Sequence, residues 1–165
     1  ERLNSNNIKR VFELVQRTNQ MNFSGKRYTY DELRSIMADN DKRTCVMRCE
    51  DRFGNYGIIG FAVIDESGPR LLDLMFSCRI QGKRVERAFL TFIIQHYRKS
   101  VPGDFYANYK KTDRNKNAGK VFEEYGFVTT EIADGISSLI LKNVTVIPDD
   151  QLITINLENS ESVTC

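Results

Sequence analysis

Leu71-Leu72-Asp73-Leu74-Met75-Phe76-Ser77-Cys78-Arg79-Ile80-Gln81-Gly82-Lys83-Arg84-Val85-Glu86 is the stretch that decides the fold. Its first half is nearly continuous in apolar residues, as in a strand covered on both faces. Its second half is a short basic loop holding one glycine. Beyond it, Val85, Ala88, Phe89, Phe92, Ile93 and His96 recur at helical spacing. The stretch reads as strand, loop and helix. A loop that opens a helix turns backbone N–H groups, and the positive end of the helix dipole, toward one spot. Such a spot suits phosphate. A second signal follows downstream, from Asn115-Lys116-Asn117-Ala118 through Phe122 to Gly126-Phe127. Together they point to a nucleotide-type cofactor laid across a strand–loop–helix unit.

Upstream, Ile8, Val11, Phe12 and Val15 predict an amphipathic helix over 5–18. Thr29 followed by Glu32 forms a capping box that opens a second helix, with Leu33, Ile36 and Met37 as its apolar side, ending near Asn40. Strands are expected at 44–50, 58–65 and 70–78, separated by turn-rich segments. Downstream, the helix from Val85 ends before Pro102-Gly103, and a short strand covers 104–109. A helix is expected over 115–125, with Ala118, Val121, Phe122 and Tyr125 inward and Gly126 at its C-terminal glycine position. Strands at 127–132 and 137–142 flank the hairpin turn Asp134-Gly135. Residues 144–147 and 152–155 read as further strands or an arm. The resulting order is two helices, antiparallel strands, strand–helix–strand–helix and a closing hairpin. That is a mixed α/β (α+β) fold, a mostly antiparallel central sheet flanked by helices.

The 165 residues suit one domain, residues 1–147, followed by an acidic extension over 148–165. After Lys142 there is no Lys or Arg, while Asp149, Asp150, Glu158 and Glu161 lie there. No stretch approaches the roughly 20 apolar residues of a membrane span. A net charge of +2 does not demand nucleic acid. Its distribution is uneven. Arg79, Lys83, Arg84 and Arg87 surround the glycine loop, and Lys110, Lys111, Arg114, Lys116 and Lys120 surround the second motif. Two basic patches flanking one pocket suit a polyphosphate. The four cysteines, Cys45, Cys49, Cys78 and Cys165, form no C-x-x-C pair, and His96 is the single histidine, so no metal site is expected. This cysteine usage fits a reducing, cytoplasmic setting. The chain opens on Glu1 and its first helix follows at once, as expected of a domain excised from a longer polypeptide.

These motifs and their order resemble the GNAT acyltransferase superfamily over most of the chain. The resemblance implies acetyl-CoA or acyl-CoA as cofactor. The family's Arg/Gln-x-x-Gly-x-Gly/Ala pyrophosphate loop is matched at Arg79 and Gly82 and departs at Arg84. By this resemblance Phe76, Arg79, Gln81, Gly82, Lys83, Arg84 and Val85 hold the cofactor, mainly through backbone N–H groups. Asn115 bonds the pantetheine or the backbone near the splayed strands. Asn115, Ala118, Gly126 and Phe127 keep the family spacing, while Phe122 stands where the family carries a Tyr that often protonates the leaving thiolate. Phe122 has no O–H. Either another group donates that proton, or transfer needs no acid, or the domain is catalytically idle.

Three blocks carry a narrower resemblance, to the C-terminal portion of FkbH-like proteins: 18–23, 51–60 and 77–86. Those proteins join a haloacid-dehalogenase-type phosphatase domain to a GNAT-like domain, and load a glyceryl unit onto an acyl carrier protein for polyketide assembly. The resemblance implies an acyl carrier protein and an N-terminal phosphatase domain as partners. It also implies that phosphopantetheine is an alternative to coenzyme A. A non-catalytic carrier-protein-docking module is the second reading.

Cys78 is the candidate nucleophile, a thiol beside Arg79 at the end of the central strand; the competing expectation is a buried structural cysteine. Ser77 is a weaker candidate, since no base stands near it in sequence. Asn19 and Asn22 lie in the loop that borders the acceptor site in GNAT folds, which makes them candidate substrate contacts. Glu86 suits the helix dipole, His96 reads as a core or boundary residue, and Asp51 and Arg52 are expected to pair at their turn.

Overall fold

The computed structural model describes residues 1–148 and 152–158. In chain order the elements are α1 (Ile8–Arg17), α2 (Tyr30–Ala38), β1 (Lys42–Asp51), β2 (Gly54–Asp65), β3 (Arg70–Phe76), a 3-10 turn (Cys78–Ile80), α3 (Val85–Ser100), β4 (Phe105–Tyr109), α4 (Lys120–Glu124), β5 (Val128–Ala133) and β6 (Ile136–Leu141). The strands form one sheet in the order β1-β2-β3-β4-β6-β5. Every neighbouring pair among the described strands is antiparallel except β3 with β4. The expected mixed, mostly antiparallel sheet flanked by helices is the observed architecture.

The helices form where the side-chain pattern directs. Ile8, Val11 and Val15 are the buried residues of α1. At α2 the capping box closes in both directions, the Thr29 side chain accepting from the Glu32 N–H while Glu32 accepts from the Thr29 N–H. Helix α3 buries Ala88, Phe89, Leu90, Thr91, Ile93, Ile94 and Tyr97. At the hairpin between β5 and β6, Asp134 and Gly135 both take positive φ, 52° and 75°. That pattern is the one a two-residue turn between twisted strands requires.

Two apolar layers sandwich the sheet. One joins Phe76, Ile80, Phe89, Leu90, Ile93, Val121, Phe122, Tyr125 and Phe127 under α3 and α4. The other joins Val11, Val15, Tyr28, Leu33, Phe61 and Met75 under α1 and α2. Gly60 lets β2 and β3 sit against the first layer: a Cβ there would stand 2.7 Å from the Phe76 ring.

Several elements depart from the sequence reading. The second strand begins at Gly54, inside the segment read as a turn, and not at 58. The third strand ends at Phe76, not at 78, because Cys78–Ile80 turns as a 3-10 segment with the Ser77 side chain accepting from the Arg79 N–H. The fourth helix spans Lys120–Glu124 and not 115–125. Residues before it are held in turns by the side chain of Asn115, described below. Residues 144–147 form an arm and not a strand, with Ile147 packed on the α3/α4 layer and Val144 and Val146 exposed. Residues 152–155 contain no strand either. Asp149, Asp150, Glu161 and Cys165 lie outside the described residues.

Candidate cofactor cleft

β3 and β4 pair only at Arg70 with Tyr106 and at Leu71 with Ala107, then part. The Ser77 N–H donates to Ile59 O on β2 at 2.7 Å. Backbone groups alternate along a strand, so Leu74 and Phe76 turn theirs toward the gap that β4 leaves. Residues 21–23 lie in that gap. The Phe23 N–H donates to Leu74 O, the Phe76 N–H donates to Met21 O, and the Lys110 N–H donates to Phe23 O, each at 2.9 Å. Asn22 forms an antiparallel bridge with Met75. A three-residue segment of the α1–α2 loop, bridged to β3 at Asn22, thus fills the gap between β3 and the end of β4.

Its side chains fill the space below. Met21 and Phe23 belong to the apolar layer under α3 and α4. Phe23 is fully buried and meets Phe122 edge to face, with centroids 5.7 Å apart. Asn115, 0% exposed, pins the arrangement. Its Nδ2 donates to Asn22 O at 2.7 Å and to Lys110 O at 2.8 Å, and its Oδ1 accepts from the Thr112 N–H at 2.7 Å. These bonds hold the backbone beside the splayed strands and draw residues 112–119 into turns. Gly119 is required here, since a Cβ would lie 2.0 Å from the Tyr109 hydroxyl oxygen.

At the end of β3 the loop turns twice through the left-handed region before α3 begins. Gly82 and Arg84 take φ of 78° and 63°, and Arg84 is the N-cap residue of α3, its side chain not capping the helix. The N–H groups of Gly82, Val85 and Glu86 have no hydrogen-bond partner among the described residues. The basic side chains are partly engaged. Lys83 pairs with Asp51 at 2.9 Å, so Asp51 meets Lys83 and not Arg52, whose guanidinium covers Phe53. The Lys83 hydrogen bond holds the Asp51 carboxyl below the usual carboxylate range. Arg87 pairs with Glu124 across α3 and α4. The Tyr125 hydroxyl donates to Arg87 O at 2.7 Å, and the Thr91 hydroxyl to Pro148 O at 2.8 Å. The Arg87 contacts clasp α3 to α4, and the Thr91 bond ties α3 to the arm. The Glu86 carboxylate stands in the first turn of α3, with a buried Oε2 that finds no hydrogen bond among the described residues.

No family model matches the sequence, and no curated protein does. Solved structures do resemble the fold. A domain from Methanocaldococcus jannaschii superposes with a TM-score of 0.68 at 14% identity, covering 86% of this chain and 96% of that one. Spermidine N-acetyltransferase from Vibrio cholerae, solved with CoA and spermine, gives 0.64 at 19% identity, over 88% and 95% of the two chains. The ribosomal-protein-S18-alanine N-acetyltransferase of Escherichia coli gives 0.63 at 11% identity, over 94% and 97%. The chain has the GNAT fold. Two of these GNAT-fold structures are N-acetyltransferases, and one is a CoA complex.

Coenzyme A poses two demands on this GNAT-fold chain. For the pyrophosphate, the unpartnered amides of Gly82, Val85 and Glu86 offer donors of the kind an anion takes. The pantetheine demand is not met in this conformation. Pantetheine is a linear diamide, and beside this loop it needs a free strand edge with space next to it. Here the edge groups Leu74 O and Phe76 N are bonded to residues 21–23, and Met21 and Phe23 occupy the space. The whole cofactor therefore does not fit the conformation observed.

The candidate residues divide accordingly. Arg79, Gln81, Gly82, Lys83 and Arg84 are exposed on the loop, and Val85 is half-buried. Phe76 is buried, with its N–H bound to Met21. Asn22 is buried and serves its own loop, Nδ2 donating to Lys26 O and Oδ1 accepting from the Gly25 N–H, both at 2.8 Å. Asn19 accepts from Arg27 at 2.5 Å. Cys78 is exposed, which removes the buried structural reading; it lines a groove on the α1 side with Ser77. His96 stacks on Phe92 at 6.2 Å, a boundary residue.

Sequence reasoning missed Met21 and Phe23, whose only local signal is their alternation about Asn22. It missed Tyr109, which tilts against Phe122 at 5.7 Å and whose hydroxyl donates to Asn115 Oδ1 at 3.3 Å. Burial raises the Tyr109 pKa. It also missed Tyr28, whose hydroxyl donates to the buried Asp73 carboxylate. Asp73 inside an otherwise apolar strand was the available signal.

Proposed function

We propose that the domain is an acyltransferase-type module that takes a pantetheine thioester in the β3–β4 cleft after residues 21–23 have left the strand edge. The thioester belongs to acyl-CoA or to the phosphopantetheine arm of an acyl carrier protein, as in the FkbH-like proteins that sequence blocks 18–23, 51–60 and 77–86 resemble. The observation that carries the reading is the loop. A left-handed turn at Gly82 and Arg84 leaves three amides at the opening of α3 without partners among the described residues. Such amides are an anion site. Basic side chains surround them, and the strand edge that leads to them bonds an extended segment readily, as residues 21–23 demonstrate.

A second reading is a non-catalytic module that docks a carrier protein for an attached phosphatase domain. The filled cleft and the apolar Phe122 favour it. Acidic carrier proteins suit the basic clusters equally in both readings.

Thermal stability measured with acetyl-CoA, free phosphopantetheine and a loaded carrier protein separates the two. A ligand that binds only the folded state raises the melting temperature. Stabilisation by acetyl-CoA that is lost in Gly82→Trp supports the transferase. Stabilisation by carrier protein alone supports docking, and no response to any of the three removes both.

A further inference from the structure

On the α1 side of the sheet, outside the cleft, lies a groove of about 410 Å³ lined by Arg10, Glu13, Leu14, Arg17 and Thr18 of α1, Ile58 of β2, and Ser77, Cys78 and Arg79. Its size falls in the range of about 300–1,000 Å³ typical of small-molecule sites. Ile58 is buried and Leu14 half-buried, so they give it an apolar wall.

The polar groups around that wall are almost all donors. Glu13, its one carboxylate, is paired with Arg10. The Thr18 hydroxyl donates to Leu14 O at 2.8 Å. Ser77 Oγ accepts from the Arg79 backbone N–H at 3.4 Å and from Arg79 Nε at 3.2 Å, which leaves the serine proton to donate. The Arg17 side chain and the terminal nitrogens of Arg79 have no partner among the described residues. The Arg17 guanidinium, the terminal nitrogens of Arg79 and the Ser77 proton, donors without acceptors among the described residues, select a ligand group that only accepts. Carboxylate and phosphate are such groups, and the planar guanidinium matches both.

We infer that this groove binds the oxyanion of a small molecule carrying an apolar stem, with Arg17, Arg79 and Ser77 holding the anion and Leu14 and Ile58 the stem. The site does not require the β3–β4 cleft to open, so it stands or falls separately from the transferase reading. It also sets this chain apart from a fold relative named for the polycation spermidine.

Cys78 lines the groove and reports on it. The intact chain is alkylated with iodoacetamide and the rates at Cys78 and Cys49 are resolved by peptide mass spectrometry. The probes are n-propyl phosphate, n-valerate and spermidine. The expected result is saturable, several-fold slowing at Cys78 by one or both anions, no slowing at Cys49, and no protection by spermidine. Slowing by propyl phosphate alone identifies a phosphate site, and slowing by valerate alone a carboxylate site. Arg17 is exposed, so Arg17→Gln leaves the fold intact. It is expected to raise the half-protecting concentration about tenfold, the loss of one charge-assisted hydrogen bond. No slowing by either anion, equal slowing by spermidine, or unchanged protection in Arg17→Gln overturns the assignment.

Discussion

The backbone N–H of Phe23 donates to the carbonyl of Leu74 across 2.9 Å, where β3 has parted from β4. A loop residue thereby stands on the strand edge that an extended ligand needs. The bond joins sequence segments fifty residues apart in number, and its partner bond from Phe76 to Met21 doubles it. Loop, edge and core are fastened together, so disturbing one is expected to register in the others.

Asn115→Ala tests the fastening. The substitution leaves Asn22 O and Lys110 O without the amide that now serves them. Each buried group left unsatisfied costs about 1–3 kcal/mol. The expected outcome is a clear loss of stability in chemical denaturation, together with faster amide exchange at Phe23. Unchanged exchange there contradicts the pinning role.

Phe23→Ala opens the cleft from within. Truncating a buried Phe costs about 3–5 kcal/mol, and the ring now fills space between the strands and Phe122. Denaturant titration checks the cost. Isothermal titration with phosphopantetheine is expected to show tighter binding to the variant than to the parent chain, provided the variant remains folded at the working temperature.

Glu86→Gln removes the carboxylate from the first turn of α3. An anion on the Gly82, Val85 and Glu86 amides then meets no negative side chain there. Inorganic pyrophosphate is expected to bind the variant more tightly by a few-fold, as read by the amide shifts of Gly82 and Val85. Weaker binding would assign Glu86 a supporting part in the cradle.

The pH profile has two arms. Hydrogen bonds from Lys83, Ser67 and Lys142 hold the carboxyls of Asp51, Asp65 and Asp104 below their ordinary value. A depressed carboxyl contributes stability above the unfolded pKa, near 3.9 for Asp, and that stability is lost as pH falls through the folded value. Melting temperature is therefore expected to decline below about pH 4. At the alkaline end, burial, followed by the Asp73 charge, raises the Tyr28 phenol. A raised group contributes stability that is complete below the unfolded pKa, near 10 for Tyr, and is lost as pH climbs toward the folded value. Tyr28→Phe is expected to flatten the alkaline decline while lowering stability at neutral pH, because Asp73 loses its donor. A melting-temperature series from pH 3 to 11 on both proteins checks both arms.

The parts of the fold legible in sequence were those with local signatures. Thr29 and Glu32 announced α2, Asp134-Gly135 announced its hairpin, and Val85 through His96 announced α3, each by a pattern contained in one short stretch of chain. The glycine loop was legible for the same reason, since Gly82 and the helix after it fix its geometry between them. The plug was not. Three residues are too few to show a period, and their partners Leu74, Phe76 and Lys110 are remote in sequence. The short α4 was missed because Asn115, read as bonding either the pantetheine or the backbone near the splayed strands, bonds the backbone and ties down residues that a longer helix would have used. The Arg17–Arg79 groove was hidden because its two walls come from α1 and from the turn after β3.

Amide hydrogen exchange with and without coenzyme A tests the central claim most directly. The account expects the Phe23 N–H to exchange faster when coenzyme A is bound, as residues 21–23 give up the β3 edge. The amides of Gly82, Val85 and Glu86 become protected in the same sample. Coenzyme A that leaves those three amides unprotected, or leaves Phe23 as slow as before, contradicts it.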